Sequence, residues 1–329
     1  MKTDPFHIND IFTISSDQEF NDKAIQIFHH QTKHCKPYKT FLDLVNIDTK
    51  KVKKVEDVPF LPIELFKQHE IYTGTERPSL IFESSGTTGT NRSKHYVKSP
   101  DLYHRSFVTG FEHFYGDIED YVILGLLPSY IEQGNSSLVY MVDKLVKLSG
   151  KPESGFYLNN YKDLRDTLQH CIQHNKSTVL IGVTYALLEF ASEYPTDLHN
   201  VLVIETGGMK GRKKELIRQE VHDQLKSAFS LNQIHSEYSM TELLSQAYSK
   251  SSGTFLCPPW MKVSFRSSAD PVHSNAGLEA GIINIIDLAN FNSCSFIATQ
   301  DVGKKDGDGF KVLGRSDLSE IRGCSQLVI

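Results

Sequence analysis

The sequence predicts an α/β fold, with mostly parallel sheets, flanking helices and a β-rich subdomain towards the carboxyl end. Three observations predict it. Between Leu80 and Gln246 short apolar runs alternate with amphipathic stretches, the pattern of right-handed strand–helix–strand crossovers. After about Ser251 the helical periodicity stops, and short strand candidates are separated by turn residues. The 329 residues, 39% apolar and 23% charged, suffice for one large α/β domain or about two average ones and exclude intrinsic disorder.

From Met1 to about Arg77 the chain reads as interrupted helix. Phe20, Ala24, Ile27 and Phe28 fall at near-helical spacing, and Pro59–Leu61–Pro62 punctuates a loop after the lysines of 50–54. The strand candidates are Leu80 to Phe82, Tyr121 to Leu127, Thr178 to Val183 and Val201 to Ile204. Between them, three helices each show one apolar face: Leu138, Met141, Val142, Leu145 and Leu148; Leu164, Leu168, Cys171 and Ile172; Leu216, Ile217, Val221 and Leu225. The tail offers Phe255 to Arg266, Gly281 to Asp287, Ser295 to Gln300 and Gly309 to Leu313, with a turn at Asp306–Gly307–Asp308–Gly309. Ligands of parallel sheets bind beyond the carboxyl ends of the strands, so the loops leading into helices are where chemistry is expected.

A net charge of −5 argues against nucleic acid as the main partner. Five scattered cysteines without a CxxC pair, and charges where a secretory leader needs an apolar core, predict reduced thiols and a cytoplasmic location. No apolar run approaches the ~20 residues of a bilayer span.

Four segments carry candidate chemistry. Phe82 to Val97, FESSGTTGTNRSKHYV, places glycines and hydroxyls between a strand and Lys94. Such a loop turns its N–H groups inward around an anion, and the lysine adds a mobile positive charge. The spacing is not that of a Walker A loop, and the competing reading is a polar surface turn. In Ile234 to Leu243, Tyr238, Thr241 and Glu242 set an aromatic ring, a hydroxyl and a carboxylate close together; taken alone, Thr241–Glu242 is as well read as a helix start. Val201 to Leu216 runs a strand into Gly207–Gly208, which admits a flat ligand or a plain turn equally. In the tail, Asp301 follows a strand and GRSDLSEIRGCS runs from Gly314 to Ser325. His30 and His34 beside Cys35, and His170 and His174 beside Cys171, have ligand spacing without a third ligand and are read as solvated helix faces.

Taken in order, SSGTTGTNRSK, ETGG, EYSMTE, TQDVG and GRSD resemble the successive signatures of adenylate-forming enzymes (acyl-CoA synthetases, luciferases and peptide-synthetase adenylation domains) from Ser84 to Cys324. LLPSYIEQGNSSLVYM and GRSDLSEIRGCS are similar to the acyl-protein synthetase branch, the fatty-acid-activating type of bacterial luminescence. The resemblance implies an adenylation core over 1–250 including the helical amino-terminal section, a β-rich subdomain over 251–314, and a truncated hinge and tail over 315–329. It implies that Ser84, Ser85, Gly86, Thr87, Thr88, Gly89 and Lys94 form the phosphate loop. Gly207 and Gly208 would line adenine, with Tyr238 stacked on it. Thr241 would meet the α-phosphate, Glu242 would hold Mg²⁺, and Asp301 and Arg315 would bind the ribose hydroxyls of ATP.

Only twelve residues follow Asp317, so the small lid domain and its lysine are expected to be missing. Asn91–Arg92–Ser93 also departs from the proline and lysine common after the loop glycine. Cys324, flanked by Arg322, then becomes the expected acyl carrier, because a nearby cation favours thiolate and thiolates attack acyl adenylates; a small apolar residue tucking down the tail is the competing reading. The function implied is ATP-dependent activation of a carboxylic, and by resemblance fatty, acid, followed by thioester formation and transfer to an acyl reductase or acyl-transfer partner. An acyl- or aryl-CoA ligase and a non-catalytic nucleotide-binding module are the alternatives.

Overall fold

The computed structural model describes residues 7–84, 92–128, 135–207, 216–268 and 277–316. Along the chain lie α1 (Asp17–His34), α2 (Lys36–Leu44), β1 (Leu61–Pro62), β2 (Leu80–Glu83), β3 (Lys94–Val97), α3 (Pro100–Tyr115) and β4 (Val122–Leu126). Then come α4 (Ser137–Ser149), β5 (Gly155–Tyr157), α5 (Tyr161–Gln173), β6 (Thr178–Gly182), α6 (Thr184–Glu193), β7 (Val201–Glu205), α7 (Arg218–Phe229), β8 (His235–Tyr238) and β9 (Ala247–Ser249). Four strands close the described chain: β10 (Met261–Arg266), β11 (Ala280–Asp287), β12 (Phe296–Asp306) and β13 (Gly309–Arg315).

The chain forms two compact units, Glu76–Pro258 and the combination of Met1–Thr75 with Pro259–Ile329. The expected boundary at 250/251 kept the amino-terminal section with the α/β core, whereas here that section falls with the β-rich segment. The cause is long-range pairing that local patterns do not carry. β1 adds in parallel to β12, and the Gln31 amide, buried on α1, donates to the carbonyls of Asn290 and Phe291 at 3.0 Å each.

In the first unit a six-stranded sheet runs β5-β4-β6-β7-β8-β9, parallel except for the last pair. β4 and β6 are buried along their whole length, as expected of strands covered by helices on both faces. Gly182 ends β6 because a Cβ there would stand 2.8 Å from Cγ of Leu187 on α6. The helix packs that close. Met141, Val142 and Leu145 bury the face of α4, and Ser136 caps its amino end by accepting from the Val139 N–H.

Three details differ from the sequence expectation. Leu148 is 49% exposed although its neighbours Leu145 and Ser149 in the last turn of α4 are buried, so it lies off the buried face. Ile217 is 66% exposed, because it caps α7 instead of joining its face, which Val221, Leu225 and Phe229 bury with His222. The run Leu80 to Phe82 is a strand but pairs only with β3, as a separate antiparallel hairpin.

The second unit holds a five-stranded sheet, β1-β12-β11-β10 with β13 also on β12. Helix α1 covers part of it with Phe20, Ala24, Ile27 and Phe28, the face expected from their spacing. Burying each of the Phe and Ile side chains stabilises by roughly 1.5–3 kcal/mol, and the Ala24 methyl by less. The turn at Asp306–Gly309 joins β12 to β13, and Gly307 supplies its left-handed position at φ +61°. Among the described residues, no helix is long and apolar enough to cross a membrane.

Candidate active site

The carboxyl ends of β4, β6, β7 and β8 share one edge of the parallel sheet, and the β2–β3 hairpin closes on that edge. The hairpin's mouth is tied twice. Ser84 N–H donates to the Ser93 carbonyl, and Ser93 N–H donates back to Ser84 Oγ, both at 3.0 Å. Residues 85–91, including Ser85, Gly86, Thr87, Thr88 and Gly89 of the expected phosphate loop, lie outside the described residues, but both of their anchors are fixed. Glu83 N–H donates to the carbonyl of Asn135 at 2.9 Å, so the hairpin also holds the segment that enters α4.

Lys94 opens β3 directly opposite Glu83, with its ammonium 3.9 Å from Oε1; Arg92 lies 3.9 Å from Oε2 of the same carboxylate. Surface pairs of this length contribute about 0–1 kcal/mol, so Lys94 is only loosely held. Its neighbour His95 is buried, and Nδ1 lies 2.8 Å from the carbonyl of Thr241. Burial pushes the His95 pKa down to about 4, against the opposing pull of that carbonyl. The ring is therefore neutral at pH 7, and because a carbonyl only accepts, Nδ1 carries the proton. This one bond joins two expected signatures that are 146 residues apart. Ser106 on α3 adds a second tie, its Oγ 3.1 Å from Oγ of Ser245.

Thr241 and Glu242 follow β8 in a turn closed by the Leu243 N–H donating to the Met240 carbonyl at 3.0 Å; they do not begin a helix. Glu242 is 6% exposed. Tyr238 ends β8, with its ring 5.7 Å from that of Phe255. At the next strand, Gly207 takes φ +75°, and its N–H donates to Glu205 Oε1 at 2.8 Å. Gly208 lies outside the described residues, as does Cys324. The structure thus brings Ser84, Lys94, Gly207, Tyr238, Thr241 and Glu242 to one sheet edge.

The expected ribose pair belongs to the other unit. Asp301 and Arg315 face each other as register partners on β12 and β13. Arg315 Nη2 donates to Gln300 Oε1 at 2.9 Å, and the Gln300 amide in turn donates to Glu64. The expected pair therefore shares one hairpin, supported by a residue from the amino-terminal section.

Sequence reasoning missed three buried polar residues here: His95, Glu205 and Glu237. Glu237 has no hydrogen-bond partner on Oε1, and burial, reinforced by the charge of Glu205, raises its pKa to about 7 although Ser239 opposes the shift. Of the three, only Glu237 carried a signal, a carboxylate between His235 and Tyr238 in a segment that leaves the preceding helix. Among the described residues no group of three or more His, Cys, Asp or Glu could hold a metal ion; the two histidine pairs lie with their rings tilted, centroids 4.5 Å (His30–His34) and 4.2 Å (His170–His174) apart, and His30 stacks on Phe291 at 4.3 Å. Mg²⁺ at a nucleotide needs only one or two carboxylates, with water and phosphate completing its shell, so a single buried Glu242 fits that donor set.

No family model and no curated protein matches the chain. Solved structures do. A 2-hydroxyisobutyryl-CoA ligase in complex with 2-HIB-AMP and CoA in the thioesterification state is similar with a TM-score of 0.68 at 12% identity, over 96% of this chain and 73% of its own. This chain has the fold of the adenylate-forming ligases. The same ligase in the postadenylation state with R3-HIB-AMP gives 0.66 at 11% identity, over 94% and 70%. McyG A-PCP complexed with phenylalanyl-adenylate gives 0.52 at 14%, over 82% of this chain and 44% of its own.

Proposed function

We propose that this protein activates a carboxylic acid with ATP, forming an acyl adenylate and releasing pyrophosphate. The observation that carries the proposal is the 2.8 Å bond from His95 to the Thr241 carbonyl, which sets the lysine end of the hairpin against the Thr241–Glu242 turn. In the reaction a carboxylate oxygen of the acid bonds to the α-phosphorus as the bridging bond to the β-phosphate breaks. Lys94 and the Thr241 hydroxyl would stabilise charge developing on the phosphate oxygens, and holding acid and nucleotide in one crevice would supply orientation. Mg²⁺ held by Glu242 would offset the charge of the triphosphate.

The finer reading is that the acid is fatty and that the acyl group moves to a thiol. Thiolate attack on the adenylate carbonyl would form the thioester and expel AMP. Cys324 is the proposed acceptor, with an acyl reductase or acyltransferase as the onward partner. Support comes from the sequence signatures around Cys324 and from the fold shared with ligases that carry acyl adenylates.

Intact-mass spectrometry after incubation with ATP, Mg²⁺ and mixed fatty acids tests both steps. An acyl adduct that disappears in Cys324→Ser supports the thiol acceptor. Acyl-AMP formed without any adduct, and discharged only when coenzyme A is added, replaces that acceptor by coenzyme A. Neither adduct nor acyl-AMP from protein that binds ATP overturns the proposal.

A further inference from the structure

Glu205 ends β7 and is 5% exposed, yet the proposed chemistry gives it no task. Its Oε1 accepts from two donors at once: the Gly207 N–H at 2.8 Å and the hydroxyl of Thr184, the first residue of α6. Thr184 closes the arrangement from the other side, because its own N–H donates to the Gly207 carbonyl at 3.1 Å. Thr206 N–H donates to the Gly182 carbonyl at 3.0 Å, so the turn after β7 is fastened once to the end of β6 and twice to the first residue of α6.

Two consequences follow for Gly207. Its N–H is used within the protein, so no donor is left to read a ligand, and its carbonyl already accepts one bond. And among the described residues no atom lies within 4 Å of where its Cβ would stand, so on that side they leave the face a side chain would occupy open. A flat, open backbone surface whose N–H is already used offers face contact to a ring and no donor to an anion.

We infer that Glu205 is a positioning residue for nucleotide binding: with Thr184 it clamps the Gly207 turn as a preformed shelf for the base. The inference rests on the ATP-dependent reading of the site. Glu205 touches no substrate; it acts through Gly207, and its effect belongs to nucleotide affinity and not to the acid.

The test compares Glu205→Ala, Glu205→Gln and Thr184→Val by equilibrium binding of a non-hydrolysable ATP analogue, by hydrogen exchange at the Gly207 amide, and by KM for the acid. Glu205→Ala is expected to weaken analogue binding by about tenfold and to speed Gly207 exchange by a similar factor, leaving KM for the acid within about twofold. Glu205→Gln, whose amide oxygen can accept both bonds, should restore protection and affinity, and Thr184→Val should move both in the direction of Glu205→Ala by less. Faster exchange with unchanged analogue affinity overturns the role, as does a Glu205→Gln protein as impaired as Glu205→Ala. So does a parallel loss of acid and nucleotide affinity together with Tm, which marks general loosening. Wild-type protein that binds no analogue overturns the ATP-dependent reading itself, whereas normal wild-type binding with an unaffected Glu205→Ala overturns only the positioning role.

Discussion

The edge of the parallel sheet and the β12–β13 hairpin each carry part of the expected nucleotide site, but they hold their polar side chains in different ways. At the parallel edge, His95, Glu205 and Glu242 are buried; His95 bonds to the backbone carbonyl of Thr241, and Glu205 accepts from the Gly207 N–H of its own turn and from the Thr184 hydroxyl on α6. On the hairpin, Arg315 is exposed and is steadied by a side chain, Gln300, which reaches Glu64. Site geometry and fold stability are therefore the same interactions at the first place and separate ones at the second. Substitutions at the sheet edge should damage both, while those on the hairpin should change binding and leave the fold alone.

The largest effect that can break this contrast is on turnover. Glu242→Ala should lower acid-dependent pyrophosphate exchange by about 10²–10³-fold, the scale of losing a major stabiliser of transition-state charge. An Asp301→Ala protein that is equally slow at saturating ATP would remove the distinction between the two regions.

Next is stability. His95→Ala leaves the Thr241 carbonyl without its donor and opens a void, and should cost about 3 kcal/mol in denaturant unfolding. The same residue gives a pH signature. The folded-state pKa is depressed from 6.5 to about 4, so the contribution of neutral His95 is complete above pH 6.5 and is lost as pH falls towards 4. His235, likewise pushed to about 4 by burial, acts in the same direction. Because Glu237 acts in the opposite direction, the readout is the difference between wild type and His95→Ala: a difference that does not shrink between pH 7 and 4 would contradict a buried neutral His95.

Glu237 should behave oppositely. Its folded-state pKa is raised from 4.5 to about 7, so its contribution is complete below pH 4.5 and disappears as pH rises through 7. Glu237→Gln should therefore stabilise the protein by about 1–3 kcal/mol at pH 8 and by much less at pH 4. A stabilisation independent of pH would mean that the carboxyl is already charged or already exposed.

The smallest effect is on the hairpin. Gln300→Ala removes one hydrogen bond from Arg315 and should raise KM for ATP about two- to tenfold, with Tm within about 2 °C of wild type. A large loss of Tm would show that this region, too, couples binding to folding.

Much of this was legible in the sequence. The buried runs of β4 and β6 and the apolar faces of α1, α4 and α5 follow from periodicity, which is a local property. The resemblance names Lys94, Gly207, Tyr238, Thr241 and Glu242 as binding residues; in the structure Lys94 opens β3, Tyr238 ends β8, and Gly207, Thr241 and Glu242 follow the ends of β7 and β8. Contacts between distant segments were not legible. Nothing near Leu61 announces its pairing with Ile297, and nothing in KHYV says that His95 will face Thr241. Glu205 was passed over because, in a strand-end sequence, a buried acceptor of two hydrogen bonds looks the same as a solvated turn residue. Ile217 misled because its spacing suits the helix face, whereas its backbone is still extended, at φ −68° and ψ 151°.

The most direct test of the central claim is pyrophosphate exchange into ATP by the wild-type protein across a panel of carboxylic acids, with Lys94→Ala and Glu242→Ala in parallel. Exchange that requires an acid and collapses in both folded variants is the predicted result. ATP binding without exchange for any acid, or exchange that survives Glu242→Ala intact, would contradict it.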